Sequence, residues 1–97
     1  MNDTNHGNTS ITRDFEIMNQ YGIHARPAAL FVKTASRYDS DIEVKKDGNK
    51  VSGKSIMGLM TLEASRGSTL RVTVDGPDAE EMLDDLQSLI EGRFDED

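Results

Sequence analysis

His24 and Arg26, one residue apart and followed directly by Pro27, are the side chains here best placed to do chemistry. Histidine is the group most easily poised between nucleophile and proton carrier near neutral pH. Arginine adds a fixed charge with several donors in a rigid fork. An apolar pattern at helical spacing follows the proline, so His24 stands where a helix should begin. The first N–H groups of a helix have no partner within it, and they would point at whatever the imidazole carried. Such a point would suit an anion, most naturally a phosphoryl group. The plainer reading is a capping or solvated histidine, which is what a histidine at a helix start most often is. No acidic residue lies close to His24 in the sequence to serve as a base behind it.

The elements needed to hold that point can be read from the rest of the chain. Residues 1–10 are polar and without periodicity, which predicts a disordered tail. Residues 12–18 alternate, with Phe15 and Ile17 on one side, and predict a first strand. Ala28, Phe31, Val32 and Ala35 predict a helix from about His24 or Ala25 to near Tyr38, with proline in its first turn, where the missing N–H is no loss. Ile42 and Val44, then Val51, flank Asp47-Gly48, a dipeptide suited to the tight turn of a hairpin, which predicts strands over 41–46 and 49–53. Ser55 is a preferred N-cap residue and opens a short helix ending around Arg66-Gly67. Leu70, Val72 and Val74 predict a last strand. Ala79, Met82, Leu83, Leu86, Leu89 and Ile90 form an amphipathic stripe that stops at Gly92. The order β-α-β-β-α-β-α predicts a two-layer α+β domain. Its four short strands form one mainly antiparallel sheet, and three helices cover one face.

Composition limits what such a domain can be. At 97 residues it is one domain with a single modest core. The formal net charge of −7 argues against general nucleic-acid binding, which needs a basic face. The acidity crowds the last quarter, and the stretch around His24 is neutral or basic. Without cysteine there is no disulfide and no thiolate metal site, in keeping with a reducing cytoplasm. No apolar run approaches membrane-spanning length, and Met1–His6 lacks the regions of a signal peptide. The Asn2-Asp3-Thr4 and Asn8-Thr9-Ser10 sequons therefore carry no weight. His6 has no metal-ligand spacing to His24 and is assigned nothing. The expectation is a soluble cytoplasmic monomer without metal or cofactor.

Two separate motifs, Gly22-Ile23-His24-Ala25-Arg26-Pro27-Ala28 and Lys54-Ser55-Ile56-Met57-Gly58-Leu59-Met60, give the chain a resemblance to a known family. It resembles the histidine-containing phosphocarriers of the bacterial phosphoenolpyruvate-dependent phosphotransferase system, the HPr family, over about residues 11–92. Residues 93–97 then form an acidic end outside the domain. The resemblance implies an open-faced β-sandwich. It implies that His24 accepts a phosphoryl group on Nδ1 from enzyme I and passes it to an EIIA-type protein, with Arg26 stabilising the phosphate. It implies that Ser55 is the regulatory site of an HPr kinase/phosphorylase. Finally, it implies a partner-binding patch of Ile56, Met57 and Met60, bordered by Arg26, Pro27 and Ala29. Leu59 and Leu62 are expected in the core. A phosphate on Ser55 would set about two negative charges beside that patch and weaken docking without unfolding the domain.

Three details depart from the family pattern or divide its branches. The tail before the first strand is long. Gly53 stands where an apolar residue is common, which should loosen the approach to Ser55. The ending Arg93-Phe94-Asp95-Glu96-Asp97 resembles the nitrogen-related branch, NPr, whereas the Ser55 motif is closer to the sugar-transport branch. Two other readings compete. One is a regulatory module of the nitrogen-related branch that binds transcription factors or metabolic enzymes. The other is an unrelated small ligand-binding domain, which a buried His24 would favour.

Overall fold

The computed structural model describes residues 10–96. Four strands and three helices follow in the order β1 (Ser10–Glu16), α1 (Ala25–Ala35), β2 (Asp41–Lys46), β3 (Asn49–Ser52), α2 (Ile56–Thr61), β4 (Thr69–Asp75) and α3 (Ala79–Glu91), with a terminal 3-10 turn at Arg93–Asp95. The strands lie in the order β1-β4-β2-β3, and every neighbouring pair is antiparallel. The helices cover one face of this sheet, leaving the other open to solvent. The two-layer α+β fold expected from the sequence is the fold observed.

Alternation explains which face is covered. Phe15, Ile42, Val44, Leu70, Val72 and Val74 are buried under the helices. The residues between them stay in water, where they pair across strands. Arg71 donates through Nε and Nη2 to the two carboxylate oxygens of Asp14, its register partner, at 2.9 and 3.2 Å. The Thr12 and Thr73 hydroxyls, also opposite each other, are 2.9 Å apart. Helix α3 buries Ala79, Met82, Leu83, Leu86 and Ile90, with Leu89 partly covered.

Several boundaries differ from the sequence expectation, each for a local reason. Strand β1 begins at Ser10, because Ser10 pairs with Asp75 at the far end of β4. That takes Ser10 out of the expected tail; the rest of the tail, residues 1–9 with His6 and both asparagine positions of the sequons, lies outside the described residues. Ile17 is fully buried but has left the strand, and its backbone is held by Ser68 and Gly67 instead. Helix α1 stops at Ala35, and Arg37 and Tyr38 continue it only as a tightened turn with bonds to Thr34 and Ala35. Helix α2 stops at Thr61 rather than near Gly67, because Glu63 takes a left-handed conformation (φ 52°). Gly53 does not loosen its surroundings. It packs so closely on Ile42 that a Cβ there would lie 2.7 Å from the Ile42 side chain.

The Asp14–Arg71 pair fixes an acid dependence. The guanidinium hydrogen bond holds the Asp14 carboxyl below its ordinary value of 3.8. A carboxyl depressed on folding adds stability above its unfolded pKa and loses it as pH falls through the folded value. Asp14→Asn should therefore flatten the fall in urea midpoint below about pH 4. An unchanged profile from pH 5 to pH 2 would remove this pair from the acid response.

Candidate functional site

His24 is the N-cap of α1, with extended backbone (φ −103°, ψ −165°) and a side chain that makes no capping bond. The imidazole therefore takes no part in capping, and 46% of that side chain is exposed. Ala28 donates to the His24 carbonyl to close the first turn. Pro27, in that turn, has no N–H to satisfy. The N–H groups of Ala25 and Arg26 have no partner among the described residues and remain open to an anion.

The loop before the helix is held tightly. The buried Asn19 side chain donates to the Gly22 carbonyl at 2.8 Å, and Ile23 N–H donates to the Ala64 carbonyl at 2.8 Å. Gly22 has φ +66°, and a Cβ on it would fall 2.3 Å from the Ala64 oxygen. Only glycine meets both the left-handed backbone and this close approach. Gly22 thereby sets where the backbone delivers His24. Tyr21, 69% exposed, stands edge-on to the imidazole with ring centroids 6.4 Å apart.

The far end of the chain closes the site. Arg26 donates from Nη1 to the Phe94 carbonyl at 3.0 Å. Glu96 Oε2 lies 3.4 Å from His24 Nε2, and Glu96 Oε1 accepts from Tyr21 N–H at 3.4 Å. Burial alone would raise the Glu96 carboxyl. Hydrogen bonds from His24, the Tyr21 and Gln20 backbone and the Asn19 amide outweigh it and hold the group below its ordinary range. His24 thus has an acidic neighbour after all. It is 72 positions away in the chain, and no local reading of the sequence finds it.

The other candidate residues lie on α1 and at the start and along the length of α2. Ser55 is the N-cap of α2, and its Oγ accepts from Gly58 N–H at 2.9 Å. Ser55→Ala should cost about 1 kcal/mol in a denaturant titration, the usual worth of such a cap. A loss below about 0.3 kcal/mol would show that the cap contributes nothing here. Ile56, Met57 and Met60 are 41%, 78% and 40% exposed, a large apolar surface for so short a helix. Leu59 and Leu62 are buried, as expected of core positions. Helices α1 and α2 pack against each other, and Ala29 is exposed on α1. Pro27 does not share that exposure: it is buried. Its place in the first turn suits a helix-starting residue. Among the described residues no group of three histidine or acidic side chains is placed to hold a metal ion, and no helix is long and apolar enough to cross a membrane.

Sequence reasoning missed Tyr21, Phe94 and Glu96 as parts of the site. The one signal for the last two was an aromatic residue inside an otherwise charged ending.

Comparison with known proteins agrees with this architecture. The family model for the PTS HPr component phosphorylation site matches residues 11–92. The phosphocarrier protein HPr of Treponema pallidum is 42% identical over 86 residues, covering 89% of this chain and 98% of that protein. The HPr-like protein Crh of Halalkalibacterium halodurans is 44% identical over 81 residues, covering 84% and 96%. A crystal structure of HPr from Thermoanaerobacter tengcongensis superposes with a TM-score of 0.86 at 48% identity, covering 90% of this chain and 98% of that one. This chain belongs to the HPr family of phosphocarrier proteins of the phosphotransferase system.

Proposed function

We propose that this chain accepts a phosphoryl group from enzyme I on His24 and hands it to an EIIA-type protein, working as a stoichiometric carrier in the cytoplasm. The observation that carries this reading is the open imidazole at the start of α1, where the Ala25 and Arg26 N–H groups have no partner among the described residues. Phosphoryl transfer asks mainly for positioning and charge stabilisation. A neutral imidazole supplies the nucleophile, and the helix start and the arginine receive the negative charge. A carrier must also release its cargo, so few and exposed contacts suit it better than a closed pocket. The same exposure counts against an unrelated domain built around a buried histidine.

Ile56, Met57 and Met60, with Ala29 and Arg26, form the docking surface in this reading. Methionine is suited to a surface that must fit several partners, because its side chain adapts its shape. A phosphate on Ser55 would place its charge at the start of the helix that carries this surface. Docking requires the patch to be free, so the working form is a monomer. One solved HPr from Thermoanaerobacter tengcongensis is described as a dimer, which makes the point worth measuring. Light scattering should return the mass of one chain at micromolar concentration; a dimer whose interface covers Met57 would refute this surface.

The decisive experiment is incubation with enzyme I and phosphoenolpyruvate, followed by intact-mass measurement. One acid-labile phosphoryl group should be gained. No gain with either the sugar-branch or the nitrogen-branch enzyme I would overturn the reading and leave the regulatory docking module in its place.

A further inference from the structure

We propose that Glu96 is a positioning residue for His24: its carboxylate holds the imidazole proton on Nε2, leaves Nδ1 as the bare nitrogen, and offsets the charge that the ring gains on attack. This rests on the carrier reading above.

The geometry is specific about which nitrogen is engaged. Oε2 of Glu96 approaches Nε2, at 3.4 Å, while Oε1 is tied to the Tyr21 N–H. A carboxylate can only accept, so the nitrogen facing it carries the proton. In a neutral imidazole the hydrogen bond made by one nitrogen sets the state of the other, and Nδ1 is left with its lone pair. The Glu96 side chain is only 17% exposed, so the contact is partly shielded from water. Tyr21 stands edge-on to the same ring.

The charge balance points the same way. The Nδ1 lone pair forms the new bond to phosphorus as the bond between phosphorus and the donor breaks, and that electron pair leaves with the donor. The proton stays on Nε2. The ring then carries both a phosphoryl group and a proton and is cationic, and a carboxylate beside Nε2 stabilises it as a carboxylate stabilises imidazolium in other histidine sites. Arg26 and the open N–H groups of α1 serve the phosphoryl oxygens, while Glu96 serves the ring. The two roles fall on opposite charges and do not compete.

The test uses the full chain with Glu96→Ala and Glu96→Gln. Ring nitrogen-15 spectra of the unphosphorylated protein, recorded above the imidazole titration, should show the Nε2–H form in wild type and a mixture in Glu96→Ala. Glu96→Gln can still accept from Nε2–H, so it should keep the tautomer while losing the charge. Both variants should lower kcat for phosphoryl uptake from enzyme I by about three- to fivefold with KM unchanged, the scale of a partly exposed charge pair. A wild-type chain that takes phosphate, beside a Glu96→Ala variant equal to it in tautomer and rate, overturns the role of Glu96 alone. A wild-type chain that takes none overturns the carrier reading itself.

Discussion

Replacing His24 with alanine should abolish phosphoryl uptake from enzyme I while leaving the fold intact. The imidazole makes no capping bond and is nearly half exposed, and the Glu96 carboxylate it leaves keeps its bonds to the Tyr21 and Gln20 backbone and the Asn19 amide. Stability should change by less than about 0.5 kcal/mol, as for most surface substitutions. The chemical loss is much larger. The side chains that remain around the site are Tyr21, Arg26 and Glu96: an unactivated phenol, a cation and a carboxylate already committed to hydrogen bonds. None is a nucleophile activated by an adjacent base, and the uptake rate should fall at least about a thousandfold. Arg26→Ala should be milder, about ten- to a hundredfold, because it removes one charge-assisted contact to the phosphoryl oxygens and not the attacking atom. Intact mass and a denaturant titration on the same sample separate chemistry from folding. An acid-labile phosphoryl group still present on His24→Ala would place the site elsewhere on the chain.

What could be read in the sequence was the part set by short-range pattern. Alternation placed Phe15, Leu70, Val72 and Val74 on the covered face, and Asp47-Gly48 marked the hairpin between β2 and β3. Ser55 could be read as an N-cap, and His24 as the residue at the start of α1. These signals are local because a strand or a cap depends on neighbours two to four residues away. The C-terminal turn is of another kind. Arg93, Phe94 and Asp95 all adopt left-handed backbone, which no propensity favours in L-residues. The charged ending reads as solvated, and its distance from residue 24 hides the pairing with His24 and Arg26. The burial of Pro27 was hidden for a different reason. Its type and spacing suit both a helix start and a surface beside the histidine, and only packing distinguishes the two.

Phe94→Ala should test how that turn is held. Three consecutive residues at φ 57°, 54° and 59° store about 1–2 kcal/mol each, because the left-handed form crowds Cβ against the carbonyl. Against this stand the fully buried Phe94 ring, the Arg26 hydrogen bond to its carbonyl, and the backbone bonds from Asp95 to Gly92 and from Glu96 to Arg93. Burial of the ring is the largest of these. Truncating a buried phenylalanine costs about 3–5 kcal/mol when the backbone stays in place. Here the backbone gains by unwinding, so the measured loss should be nearer 2–3 kcal/mol. Glu96 should then leave His24, and the imidazole tautomer of this variant should match that of Glu96→Ala. Arg93→Gly makes the opposite case. Arg93 is exposed and left-handed; glycine there relieves about 1–2 kcal/mol of strain and costs about 0.5–1 kcal/mol in chain entropy, a net gain of about 0.5–1 kcal/mol. A Phe94→Ala loss of 5 kcal/mol with the Glu96 contact intact would show that the turn is held by more than its aromatic anchor. A loss under 0.5 kcal/mol would show that the ring never held it.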